Sequence, residues 1–180
     1  MMNYLLLSKE ISYALRHAPW EYELELDENG WVNITQLIEA LKENNKWHNI
    51  TKDDLVKMID LSDKKRHEII NGKIRALYGH STPNKIIIES KQPPEILYHG
   101  TAHRFMRAIK ENGLFPQARQ YVHLSADVET AIQVGKRRDH NPVLLLITAR
   151  VAWNDGVIFY YANEKVWLVD FISYKYISEI

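Results

Sequence analysis

The sequence predicts an α+β protein of two lobes, and three observations predict it. Before residue 91, apolar residues recur at helical spacing in three short stretches and lead into a hairpin signature. Beyond it, short apolar strands alternate with short helices. Between them stands Lys91-Gln92-Pro93-Pro94, whose paired prolines resist both helix and central strand and suit a short stiff connection. The lobes are therefore set at residues 1–91 and 92–180, each long enough for a small domain.

In the first lobe, Ile11, Ala14, Leu15 and Ala18 share one helical face, and Pro19 stops that helix. Asp27-Glu28-Asn29-Gly30 reads as a turn, followed by a short strand at Trp31-Val32. Leu37, Ile38 and Leu41 form a second apolar helix face. Thr51-Lys52-Asp53-Asp54 is a capping-box pattern, and the helix it opens points Leu55, Met58 and Ile59 inward. Asn71-Gly72 between His67–Ile70 and a strand beginning at Lys73 is a two-residue hairpin signal. Three short helices plus a hairpin suggest a winged-helix lobe of the kind that often binds nucleic acid.

In the second lobe, a strand at Ile96-Leu97-Tyr98 runs into His99-Gly100-Thr101. A helix follows over roughly Phe105 to Asn112 and ends at Gly113. Tyr121 to Leu124 is a strand, and Asp127 to Val134 is a helix with Gly135 after it. The continuous apolar run Val143–Ile147 predicts a buried strand. Val157 to Tyr161, Val166 to Val169 and Tyr174 to Ile177 are further strands.

Composition narrows the function. Hydrophobic residues at 46% and charged residues at 26% exclude a wholly disordered chain. Lys+Arg and Asp+Glu are both 23, so the net charge of zero argues against non-specific coating of nucleic acid and leaves room for a local basic patch. The absence of cysteine excludes disulfides, thiolate zinc sites, iron–sulfur ligation and cysteine nucleophiles. No apolar run approaches the ~18 residues needed to span a bilayer. The N-terminus lacks the basic start and small-residue cleavage site of a signal peptide, so a cytoplasmic protein is expected.

Four stretches carry side chains suited to chemistry. Arg16-His17 offers a planar guanidinium fork and an imidazole at a helix end, where basic residues also complement the helix dipole. Arg75 lies on the strand face opposite Ile74 and Ala76, near Lys64, Lys65, Arg66 and Lys73; charge on a solvated ribbon edge is the ordinary explanation. His99-Gly100-Thr101 ends a strand, with a glycine that permits close backbone approach to a ligand or simply makes a turn. His103 lies four residues after His99, but Gly100 makes His99 a poor helical ligand and no carboxylate lies between, so no metal site is expected. In Arg119–Ser125, alternation puts Arg119, Tyr121, His123 and Ser125 on one face, as a cleft lining or a half-exposed strand.

Taken in order, these stretches resemble the RNA 2′-phosphotransferase family, the NAD-dependent enzymes named for tRNA splicing. The likeness runs through Leu15-Arg16-His17 with Pro19, Leu26-Asp27 with Gly30-Trp31-Val32, and Ile74-Arg75-Ala76 with Gly79-His80-Ser81. It continues through Leu97–Thr101, Gly113-Leu114, Tyr121–Ser125 and Val166-Trp167-Leu168. The resemblance implies an N-terminal winged-helix RNA-binding lobe and a C-terminal ADP-ribosyltransferase-like NAD-binding lobe. It implies that an internal RNA 2′-phosphate attacks the nicotinamide ribose of NAD, which is consumed as co-substrate without a metal. An ADP-ribosylated RNA intermediate then yields a free 2′-hydroxyl and ADP-ribose 1″,2″-cyclic phosphate. It assigns Arg16, His17, Arg75 and Arg119 to catalysis, and His99, Gly100, Thr101, His123, Ser125 and Val166 to the NAD site. Val166 falls where many ADP-ribosyltransferases carry a glutamate, in keeping with an acceptor that is already an anion.

This chain departs from the family pattern at Tyr78, where a glutamine is usual, at Lys165, where a glycine is usual, and at Arg138-Asp139, where His-Gly is usual. Two other readings remain: an ADP-ribosyltransferase acting on another nucleic-acid phosphate, and a non-catalytic winged-helix nucleic-acid-binding module. The expected partner is an RNA with an internal 2′-phosphate, tRNA-like, and the expected state is a monomer.

Overall fold

The computed structural model describes residues 1–43 and 46–180. The chain is mixed α and β, with six α-helices and two sheets among the described residues. It forms two compact units, Met1–Ile87 and Ile88–Ile180.

The first unit begins with α1 (Tyr4–Arg16), where the Asn3 side chain accepts the Leu6 N–H and so satisfies one orphan donor. Leu7, Ile11, Ala14 and Leu15 make its inward face. Ala18 is buried but lies beyond the helix, because the chain turns into a 3₁₀ segment at Pro19–Tyr22. α2 (Ile34–Glu43) buries Leu37 and Leu41. α3 (Lys52–Asp60) opens with a reciprocal capping box: the Asp54 N–H donates to Thr51 Oγ1, and the Thr51 N–H donates to Asp54 Oδ2 at 3.0 Å. Leu55 and Met58 point inward, and Ile59 is partly buried.

Strands β1 (Val32–Asn33), β2 (His67–Ile70) and β3 (Lys73–Ala76) form an antiparallel sheet in the order β1-β3-β2. Between β2 and β3, Asn71 (φ 48°) and Gly72 (φ 75°) both take the left-handed conformation that a tight hairpin requires. Ile74 and Ala76 join the helices in one core with Trp47, whose indole N–H donates to Glu10 at 2.7 Å.

The second unit is built on six strands: β4 (Leu97–Thr101), β5 (Val122–Ser125), β6 (Val143–Ile147), β7 (Phe159–Tyr161), β8 (Val166–Val169) and β9 (Ile177–Glu179). Their order is β7-β8-β5-β4-β6-β9, with every neighbouring pair antiparallel. Helices α4 (Met106–Asn112) and α6 (Ala149–Asn154) contribute Met106, Ile109, Ala149 and Ala152 to the core over Leu97, Leu124, Leu145, Phe159 and Val169. Gly113 ends α4 at φ 82°, where an added Cβ would meet the Ile172 carbonyl.

α5 (Val128–Gly135) is capped by Asp127, whose carboxylate accepts the Thr130 N–H at 2.7 Å. The helix lies directly on β4: a Cβ at Gly100 would fall 1.9 Å from the Ala131 carbonyl oxygen. Gly135 is the last residue of this helix and not a stop after it, because its missing side chain lets the helix approach Gly100 and Pro142.

Three other expectations change. The apolar run of β6 is fully buried only at Leu145 and Ile147: Val143 shares their face but is partly buried at the strand start, and Leu144 and Leu146 lie on the more open face. Tyr174–Tyr176 is a 3₁₀ turn and the strand starts at Ile177, because the Tyr176 N–H closes back on Ser173. α6 stands where no helix was expected; its two buried alanines draw their stability from tertiary packing rather than propensity alone.

Candidate functional site

In the first unit, the outward stripe of α1 carries Leu5, Ser8, Lys9, Ser12, Tyr13 and Arg16 at helical spacing. Together with His17 and Arg66 these residues line a cavity of about 230 Å³. Arg16 is buried, and its guanidinium lies over the Tyr78 ring, 4.9 Å from the centroid. The departure at Tyr78 thus supplies an aromatic support to the arginine. His17 Nδ1 is 2.7 Å from Ser81 Oγ, and the Ser81 N–H donates to the Arg16 carbonyl at 2.9 Å, tying Gly79-His80-Ser81 to the end of α1.

Beneath the stripe, Ser12 Oγ and the Nε2 of the buried His67 are 3.0 Å apart. Burial pushes the His67 imidazole down to about 3, aided by the positive charges of Arg16 and Arg66, so it is neutral near neutral pH. Arg75 does not line this cavity. Its guanidinium is held by Glu68, with Nε donating at 2.6 Å, and lies 4.5 Å from the Trp31 ring centroid.

In the second unit, β4 and β5 share the single bridge Tyr98↔Ser125, while β4 and β6 pair along five residues. Past that bridge the His99 side chain takes the place of the ladder: its Nδ1 lies 2.9 Å from the His123 carbonyl oxygen. A carbonyl only accepts, so Nδ1 carries the proton and Nε2 keeps a lone pair. Burial lowers the His99 pKa, which keeps the ring neutral. His123 Nδ1 lies 3.0 Å from the Tyr121 carbonyl oxygen. Burial, followed by the charges of Tyr160 and Asp170, pushes the Tyr121 hydroxyl up to about 12.

Thr101 and Ser125 are buried hydroxyls at the ends of these strands. Val166 pairs with Ser125 across β5 and β8, and its N–H donates to Asn163 Oδ1 at 2.8 Å. Asn163 also accepts the Lys165 N–H, and Lys165 sits outside the left-handed region, so this turn needs no glycine there. The glycine at 100 lets α5 pack closely on β4.

Arg119 does not continue the strand face of Tyr121, His123 and Ser125. It is exposed in a turn, with its N–H donating to the Pro116 carbonyl at 2.8 Å and Gln117 at φ 28°. Pro116 lacks the N–H that a ladder would need, so alternation fails before residue 121. The departure at Arg138-Asp139 builds its own clasp: Asp139 Oδ2 accepts the His103 N–H at 3.1 Å and faces His103 Nδ1 at 3.0 Å. Arg104 donates to the Arg138 carbonyl at 3.2 Å.

The structure therefore brings Arg16 and His17 into one cavity wall and His99, Thr101, His123, Ser125 and Val166 onto neighbouring strands; within the first unit Arg75 is held by Glu68 outside that cavity, and within the second Arg119 is exposed in a turn. A neutral imidazole with a free lone pair and buried hydroxyls is a donor set suited to ribose hydroxyls. Guanidinium groups at a helix end are suited to phosphate. Lys9 and Arg66 were not anticipated as cavity residues. The spacing of Lys9, Tyr13 and Arg16 at i, i+4 and i+7 is the sequence signal that points to Lys9; none in the sequence points to Arg66.

The chain matches the model of the family described as "RNA 2'-phosphotransferase, Tpt1 / KptA family" over residues 3–171. It is 64% identical over 177 residues to a probable RNA 2′-phosphotransferase of Acetivibrio thermocellus, an alignment covering 98% of this chain and 97% of that one. A protein of the same name from Bacillus thuringiensis is 56% identical over 175 residues, covering 97% and 95%. One from Pyrococcus horikoshii is 38% identical over 174 residues, covering 97% of each. The chain belongs to the RNA 2′-phosphotransferase family. No helix among the described residues is long and apolar enough to cross a membrane.

Proposed function

We propose that the protein is an NAD-dependent RNA 2′-phosphotransferase. The first unit is read as the winged-helix RNA lobe, on its three helices and β2–β3 hairpin, and the second as the ADP-ribosyltransferase-like lobe, on its six-stranded sheet. The observation that carries the reading is the family match across residues 3–171, which contains every residue assigned to the reaction.

NAD supplies the electrophilic ribose carbon and nicotinamide as leaving group. The internal 2′-phosphate of a tRNA-like RNA is the nucleophile. The chain's own residues hold, orient and neutralise. Arg16, His17 and Arg75 offer cationic or hydrogen-bonding groups to the 2′-phosphate, offsetting its repulsion from a pyrophosphate-bearing partner. Tyr78 beneath Arg16 and Ser81 beside His17 limit the rotamers those side chains sample, so less order is lost on binding. His99, with its proton held on Nδ1, presents Nε2 as an acceptor for a ribose hydroxyl, and Thr101 and Ser125 add hydroxyls. Arg119 stabilises the charge that builds when the ribose 2″-hydroxyl attacks the phosphate in the second step. Val166 supplies no base, and a phosphate dianion needs none.

The test is incubation with a 2′-phosphorylated oligonucleotide and NAD. Nicotinamide, ADP-ribose 1″,2″-cyclic phosphate and an RNA bearing a free 2′-hydroxyl are expected. Release of nicotinamide with the ADP-ribose left on the nucleic acid would make the protein an ADP-ribosyltransferase of another kind. Binding of RNA with no NAD turnover would make it a binding module.

A further inference from the structure

We infer that the cavity along the outward stripe of α1 is a second anion subsite, in which Lys9 and Arg66 hold a phosphodiester of the RNA strand flanking the 2′-phosphorylated nucleotide. The inference rests on the RNA reading above and adds to it two residues outside the proposed catalytic group.

The lining of this cavity contains Lys9, Arg16 and Arg66 with His17, Ser8 and Ser12, and it contains no carboxylate. Elsewhere on this unit three basic side chains meet acids: Arg75 meets Glu68, Lys73 meets Asp27, and Lys46 meets Glu10. Arg66 instead donates Nη1 to the Ser62 hydroxyl at 3.2 Å, a neutral partner that leaves its positive charge in place. His67, which lies against Ser12 under the cavity, is held neutral by burial and by the charges of Arg16 and Arg66. A concave surface with accumulated positive charge and hydroxyl donors is complementary to a phosphate diester.

The placement favours RNA over a free anion. Arg16 and His17 stand in the same wall as Lys9 and Arg66, so a strand held by its 2′-phosphate at the first pair runs its adjoining backbone past the second. Tyr13, 42% exposed between Lys9 and Arg16, presents a ring face of the kind on which an unpaired base stacks. Its hydroxyl is fixed by donation to Glu21 at 2.9 Å, which holds the ring in position.

The experiment compares a 2′-phosphorylated oligonucleotide with a 2′-phosphorylated mononucleoside that has no flanking phosphodiester. Lys9→Gln and the double variant Lys9→Gln, Arg66→Gln are measured for turnover and, without NAD, for binding by fluorescence anisotropy across a salt series. Lys9 is exposed on α1, so its substitution leaves the fold intact. The expected result is a loss of affinity for the oligonucleotide about tenfold larger than for the mononucleoside. The slope of log affinity against log salt should fall by about 0.7 for each charge removed. Lys52→Gln, the same charge change on α3 outside the cavity, stays at the parental value. Equal losses on both substrates, or an unchanged salt slope, overturn the inference. The binding arm needs no turnover: a protein that binds the oligonucleotide through Lys9 and Arg66 but never consumes NAD would sustain the subsite and refute the enzymatic reading.

Discussion

Lowering the pH from about 7 to about 5 should weaken the first unit through His67. This histidine is 3% exposed, contacts Ser12 through Nε2, and is pushed down to about 3. Its unfolded value is about 6.5, so between those two values the unfolded chain binds a proton that the folded chain refuses. Stability from the neutral ring is therefore complete above about pH 6.5 and is lost progressively as pH falls toward 3. At about pH 5 the gap of about 1.5 pH units below the unfolded value corresponds to about 2 kcal/mol. That figure hardly depends on the folded value so long as the latter stays below about 4.

The assay is urea unfolding followed by tryptophan fluorescence, with Trp47 reporting from the same core as α1. It is run at both pH values on the parent and on His67→Gln, which keeps an amide to pair with Ser12. The parent should lose about 2 kcal/mol more than the variant, since the paired carboxylates cancel in the comparison. Identical losses in the two proteins would refute the argument that His67 is folded in its neutral form.

Three further outcomes are expected, two from the geometry and one from the proposed function. Gly100→Ala places a Cβ against the Ala131 carbonyl, a backbone atom that moves only with the whole of α5, so a destabilisation of about 3 kcal/mol is expected in thermal unfolding, and a cost under about 1 would contradict it. Asp139→Asn weakens the clasp on His103, and the His103 amide should exchange with deuterium faster while the amides of α1 do not change. Arg119→Ala should slow the second chemical step more than the first, so that ADP-ribosylated RNA accumulates in a single-turnover gel; equal slowing of both steps with no intermediate would remove the role proposed for it.

Local chemistry made much of this architecture readable. The Thr51–Asp54 capping box, the Asn71-Gly72 turn and the Asp127 cap act within a few residues, through hydrogen bonds and backbone angles that their own side chains dictate. The inward face of α1 is likewise written in the spacing of Ile11, Ala14 and Leu15. Arg16-His17 and His99 stand out by residue type, but it is the family resemblance, not spacing, that gives them a role.

What depended on contacts distant in the chain was not readable in this way. The strand order β7-β8-β5-β4-β6-β9 is a matter of which surfaces bury one another, and no local pattern encodes it. The packing of α5 against Gly100 is invisible in the sequence, and Gly135 looks like a helix stop until the same contact is seen. Alternation places Arg119 on a strand face with His123 because it has no means of showing where a ladder begins; Pro116 and the turn after it decide that. The basic run at Lys64-Lys65-Arg66 was visible as charge, yet only the tertiary structure sets Arg66 beside Lys9 and Arg16, residues about fifty positions earlier. Short-range bonding is specified by neighbouring side chains, whereas a cavity is the meeting of surfaces whose distance apart the order of residues leaves open.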